Sequence, residues 1–135
     1  MLISNKLREF YEFNDLDILD TLNGPISVVN HFALREFADY RDENGPTRSG
    51  LEAMLLYSQV STERLTAMGG RFVMQGFHIG SMWGEDDAWD LVVVANFPDT
   101  GSFFDLLNDD EYQAAFVHRK AAVQRQRVAI CSTIV

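Results

Sequence analysis

The sequence predicts an α+β domain in which strands and helices follow the order β-α-β-β-α-β behind a short helical prefix. Three observations carry this expectation. Trp89 to Phe97 is a run rich in valine that Pro98 stops, as a strand demands. Ser49 can cap an amphipathic stretch from Leu51 to about Met68, and Gly69-Gly70 ends it. Tyr112, Ala115, Phe116, Arg119 and Val123 recur at helical spacing, which puts Arg119 on an otherwise apolar stripe.

Each element follows in turn. Residues 1–24 form the prefix, with Leu7, Phe10 and Tyr11 as one apolar stripe and Leu16, Leu19 and Leu22 as another after a cap at Asn14; Gly24-Pro25 stops it. The domain proper occupies residues 25–135. Ile26 to Leu34 is the first strand, and Asp42-Glu43-Asn44-Gly45-Pro46 marks a loop tip before the first helix. Arg71 to Trp83 is the second strand, with bulges or close approach at Gly76 and Gly80, and it pairs with the Trp89 strand as a hairpin. A helix from Thr100 to Leu107 breaks before a second one, capped by Asn108 and Glu111, that runs to about Gln124. Arg127 to Val135 closes the sheet.

That order is the ferredoxin-like plan, four antiparallel strands with both helices on one face. The third strand is apolar on both sides, Leu91, Val93, Ala95 and Phe97 on one and Val92 and Val94 on the other. A second layer must cover the helix-free face. A homodimer that pairs the two sheets is the economical solution, and such interfaces bury about 1,600 Å².

The chain's 135 residues suffice for one domain with a core, and 47% hydrophobic with 23% charged residues is an ordinary globular balance. A net charge of −9, with scattered basic residues, argues against nucleic acid. No stretch reaches the ~20 apolar residues of a membrane span, and Lys6, Arg8 and Glu9 interrupt the run a signal peptide needs, so a cytoplasmic location is expected. The single cysteine, Cys131, reads as a buried strand thiol. Three histidines without short ligand spacing and one cysteine predict no metal site.

Arg119 dominates the functional reading. A buried cation needs a partner, which could be Asp110, Asp90, a helix-end carbonyl or an anionic ligand. Arginine grips carboxylates with two bonds and the Tyr112 phenol adds a donor, so the pair is the candidate anion anchor. Asn30 and His31 lie on opposite faces of the first strand, so only one of them can reach a helix-side cleft. His118, at the edge of the stripe, and His78, flanked by Gly76 and Gly80, are the acid–base candidates. A solvated boundary position for His118 and an interface position for His78 are the alternatives. Tyr57 and the aromatic residues Trp83, Trp89, Phe72, Phe77, Phe97, Phe103 and Phe104 either line a pocket or fill the core.

Gly69-Gly70-Arg71-Phe72, Val93 to Pro98, Asp110-Glu111-Tyr112-Gln113-Ala114 and His118-Arg119 together resemble the uncharacterised family catalogued as domain of unknown function thirteen-thirty. Val29-Asn30, Ala38-Asp39-Tyr40 and Ser49-Gly50 resemble a longer branch of it, so that the likeness spans roughly residues 26–130 and favours Asn30 over His31 as the cleft residue. The resemblance implies a dimeric α/β barrel with a cleft between sheet and helices in each protomer. It also implies an aromatic helix position at Tyr57, and a glutamate and an arginine where this chain has Asn96 and Gln75. An amide pair would then replace a charge pair across the sheet, with Asn96 as a further ligand contact. Relatives in that superfamily include cofactor-independent monooxygenases, lactone isomerases, dehalogenation-related proteins and haem enzymes. The expectation is a homodimer that binds a small anionic organic acid or polyketide-like compound, either as a cofactor-free oxygenase or isomerase or as a non-catalytic accessory or regulatory dimer. No cofactor is expected.

Overall fold

The computed structural model describes residues 4–14, 17, 20 and 22–134. The elements are α1 (Asn5–Tyr11), β1 (Ile26–Leu34), α2 (Gly50–Ala67), β2 (Arg71–Phe77), β3 (Leu91–Phe97), α3 (Thr100–Leu107), α4 (Asp110–Ala122) and β4 (Val123–Ser132). The four strands form one antiparallel sheet in the order β2-β3-β1-β4, the ferredoxin-like arrangement.

Local chemistry explains where the helices begin. Ser49 and Glu52 form a reciprocal capping box at the start of α2. Asp109, rather than Asn108, caps α4: its carboxylate accepts from the Tyr112 amide, while Asn108 donates to the Phe104 carbonyl. The same carboxylate takes two bonds from Arg64, at 3.0 and 2.8 Å, which ties α2 to the head of α4. Those bonds, foremost the side-chain bond from Arg64, hold Asp109 below the ordinary carboxylate range.

The register sorts the strands into two faces. Ile26, Val28, Asn30 and Phe32 stand opposite Phe97, Ala95, Val93 and Leu91, and this face meets the helices. Ser27, Val29 and His31 share the other face with Asn96, Val94 and Val92 and with Cys131, Ala129 and Arg127. A shift between Phe72 and Met74 turns Gln75 to the helix side while Arg71 pairs with Asn96. The amides of Gln75 and Asn96 therefore lie on opposite faces and make no pair; Asn96 accepts from Ser27 at 2.7 Å.

Several boundaries differ from expectation. β2 ends at Phe77, and residues 78–90 form a loop on which Ile79, Met82 and Trp83 stand almost fully exposed. β4 starts at Val123, four residues before Arg127, because the helix yields to extended backbone there. Cys131 is exposed, since it lies on the face without a second layer. Of the prefix, α1 ends at Tyr11, and Glu12 takes a left-handed conformation at φ 58°. Leu16 and Leu19 of the expected second stripe lie outside the described residues. Among the described residues no helix is long and apolar enough to cross a membrane.

Gly50 has a steric role that decides a sign. A Cβ there would sit 2.0 Å from the Arg35 carbonyl oxygen. Helix propensity alone would favour alanine by about 1 kcal/mol, but a clash with backbone cannot relax by side-chain rotation. Gly50→Ala is expected to destabilise by about 2 kcal/mol or more in urea unfolding, and a gain in stability would refute the close approach.

Candidate functional site

A cavity of about 720 Å³ lies between the helix-facing side of the sheet and the helices, within the size range of small-molecule sites. Each layer supplies part of its wall. β1 brings Val28, Asn30 and Phe32, α2 brings Met54 and Tyr57, and α4 brings Tyr112, Phe116 and Arg119. Exposed Leu55, Phe77 and Val128 also line it, so it opens to the surface near the edge strands.

Arg119 is buried, at 8% exposure, and its partners are all neutral. Nη1 donates to the Tyr57 phenol at 3.0 Å, and Nη2 donates to Gln126 Oε1 at 2.9 Å and Asn30 Oδ1 at 3.4 Å. Nε is buried with no hydrogen-bond partner. The guanidinium carbon also lies 4.7 Å from the Phe32 ring centre, 5.0 Å from Phe116 and 5.5 Å from Tyr57. Among the described residues no carboxylate pairs with it: Asp90 accepts from the Leu34 amide, and Asp109 is taken by Arg64. Burial opposes the charge, yet the phenol oxygens of Tyr57 and Tyr112 hold the guanidinium above its ordinary range.

Tyr57 and Tyr112 share a hydrogen bond of 2.7 Å. Burial, then the neighbouring Tyr57, pushes the Tyr112 phenol well above the ordinary range, so it stays protonated. Tyr11 is raised too, first by burial, and its phenol donates to the Leu107 carbonyl at 2.5 Å. Around Arg119 the cavity wall is thus made of neutral phenols and amides, while Glu12 brings a carboxylate to the lining elsewhere.

Of the residues singled out from sequence, Arg119, Tyr112, Asn30 and Tyr57 come together here. His118 does not line the cavity. It bonds the Tyr40 phenol at 2.7 Å on the outer side of α4, and burial followed by the charge of Arg48 lowers its pKa. His78 lies just beyond β2, with Nε2 3.4 Å from Asp86 in a geometry too poor for a hydrogen bond. Asn96 is on the opposite sheet face. Phe72, Phe77, Phe97 and Phe103 line the cavity, whereas Trp89 is buried beside Arg125 and Trp83 is exposed. No histidine lines the cavity, and among the described residues no group of His, Cys, Asp and Glu could hold a metal.

Two contributions escaped sequence reasoning. Gln126 was hidden because the strand was expected to begin one residue later, although alternation from Val128 would have placed it on the helix side. Tyr11 and Phe13 join the wall through the prefix: Tyr11 packs against Phe116, with ring centres 4.9 Å apart, and Phe13 stacks on Tyr11. The spacing of Phe10 and Tyr11 signalled a packed face, but nothing local named its target.

The buried phenols carry a pH consequence. An unfolded chain loses phenol protons near pH 10, while the folded chain keeps that of Tyr112, so above roughly that pH the folded state binds more protons. Stability is therefore expected to fall as pH rises past about 10, by up to about 1.4 kcal/mol per pH unit for this group. Urea unfolding at pH 8 and pH 11 should show a smaller loss in Tyr112→Phe than in the wild type; an equal loss would contradict the assignment.

The sequence profile described as Domain of unknown function (DUF1330) matches residues 48–133, which hold α2 to β4 and thus Tyr57, Tyr112, Arg119 and Gln126. The crystal structure of the RPA0582 protein of unknown function from Rhodopseudomonas palustris is similar over the whole chain. It has 29% identity and a TM-score of 0.75, and the match covers 100% of this chain and 96% of that one. A methylated form of RPA0582 gives 29% identity, a TM-score of 0.78 and coverage of 100% and 94%. A dabb family protein with a ferredoxin-like fold from Mesorhizobium loti, at 15% identity, a TM-score of 0.52 and coverage of 84% and 100%, shares the fold. Comparison with curated proteins gives no match. The chain belongs to the DUF1330 family, with a ferredoxin-like fold.

Proposed function

We propose that this protein is a homodimer that binds one apolar organic anion per protomer in the cavity beneath its helices. The observation that carries the reading is Arg119, a buried cation on the cavity wall with neutral partners in place of a carboxylate. A structural arginine would be expected to carry its counter-charge with it, because an uncompensated buried ion costs several kcal/mol. A ligand's negative charge would complete the site, and Val28, Phe97, Phe103 and Leu106 would cover its apolar body. The reading is one of binding. His118 and His78 stand outside the cavity, so an oxygenase or isomerase step within it would rest on the phenols.

The dimer is the second half of the reading. Val29, Val92 and Val94 lie on the sheet face that carries no helix, and the fully exposed Ile79, Met82 and Trp83 sit on the loop beside it. A second copy would supply the missing layer. Light scattering is expected to give twice the protomer's 15.3 kDa, and Val94→Asp to give a folded species of half that size. A wild type that stays at the protomer mass when concentrated would end the dimer proposal.

The ligand half is tested by calorimetry with a set of compounds on one ring system: coumarin-3-carboxylate, the phenolate of 7-hydroxycoumarin, and uncharged coumarin. At least one anion should bind about tenfold or more tighter than coumarin, a difference of about 1.4 kcal/mol. Arg119→Met should abolish that preference in a folded variant of lower thermal midpoint, since the oxygens of Tyr57, Asn30 and Gln126 lose their donor. Equal binding of charged and uncharged members would sink the reading.

A further inference from the structure

The proton inventory of the site narrows the class of anion. A guanidinium has two edges that can hold a carboxylate through two parallel bonds, Nε with Nη2 and Nη1 with Nη2. Both edges need Nη2. Here it already faces two acceptors, Gln126 at 2.9 Å and, more weakly, Asn30 at 3.4 Å. Asn30 is itself fixed, because its amide nitrogen donates to the Val93 carbonyl at 3.0 Å. A two-bond carboxylate grip would have to displace one of these amides from a buried position.

The phenols present the opposite situation. The Tyr57 oxygen accepts from Arg119, and the two phenols share a single hydrogen bond in which either can donate. Two hydroxyl protons serve one bond, so one O–H is left over whichever way the bond runs. Both phenols line the cavity. The phenols offer one neutral donor beside the cation, whose own unpaired Nε is buried, and that donor matches one oxygen rather than two. An uncharged carbonyl would satisfy the donor but leave the charge of Arg119 uncompensated. A single-oxygen anion satisfies both.

We propose that the cavity takes the conjugate base of a weakly acidic, apolar hydroxyl compound, a phenolate or an enolate. Its charged oxygen accepts the spare O–H of the Tyr57–Tyr112 pair while the neighbouring Arg119 neutralises it. This rests on the organic-anion reading and makes it more specific.

The test uses the full-length protein and 7-hydroxycoumarin, whose neutral and ionised forms have separate absorption bands. A site that prefers the anion lowers the pKa of the bound probe, by about one unit for a tenfold preference. The bound probe's pKa should fall by about one unit or more, and Tyr57→Phe/Tyr112→Phe, which leaves Arg119 in place, should shrink the shift. Tyr112→Phe alone frees the Tyr57 proton and should keep most of it. Should the double variant fail to fold, the direction of the wild-type shift still decides. A pKa that is unchanged or raised overturns the proposal. So does Arg119-dependent binding of coumarin-3-carboxylate without binding of the phenolate, and in that case the organic-anion reading survives. If neither anion binds, both readings fall.

Discussion

A guanidinium is held inside an apolar layer with no counter-ion among the described residues, and the rest of the site is arranged around that constraint. Several kcal/mol of desolvation must be offset where it arises. Tyr57, Asn30 and Gln126 supply three neutral acceptors, and Phe32, Phe116 and Tyr57 supply ring faces, each contact of this kind worth roughly 0.5–2 kcal/mol. These partners come from β1, α2, α4 and β4, of which β1 and α2 lie far from Arg119 in sequence. The cation therefore ties these elements together through neutral partners alone among the described residues.

Positioning those partners is the task of the scaffold. The capping box at Ser49 fixes the start of α2, and Gly50 lets that start approach the Arg35 backbone. The bidentate bond from Arg64 to Asp109 joins α2 to α4, and the Tyr57–Tyr112 bond joins the same two helices from within. The prefix is recruited to the same end. A helix of seven residues has little stability alone, but Tyr11 anchors it through Leu107 and the ring of Phe116, and Phe13 follows Tyr11 into the wall.

The two sheet faces divide the labour. On the helix side, large side chains of β1 and β3 stop short of filling the space, which leaves a cavity with a mouth at the edge strands. On the other side, Val29, Val92 and Val94 stand among Ser27, His31, Asn96 and Arg127 on the face that carries no helix among the described residues. Binding and self-association can thus occupy opposite faces of one sheet, coupled only through its strands.

Period and punctuation made the architecture legible from the residues. The alternation of Leu91, Val93, Ala95 and Phe97 against Val92 and Val94, the stop at Gly69-Gly70 and the helical stripe from Tyr112 to Arg119 are local patterns, and local patterns suffice for element type and facing. The same stripe marked Arg119 and Tyr112, while strand parity left Asn30 and His31 as alternatives between which the family resemblance chose. Tertiary packing alone decided who meets Arg119: the β4 register brings in Gln126, α2 brings in the Tyr57 phenol, and the prefix folds Tyr11 against Phe116. It also decided that His118 and His78 stand outside the cavity and that a shift near Val73 sends Gln75 and Asn96 to opposite faces. A sequence records each residue's periodicity relative to its neighbours; the identity of a partner 60 or 90 positions away depends on how whole elements pack, which no local pattern encodes.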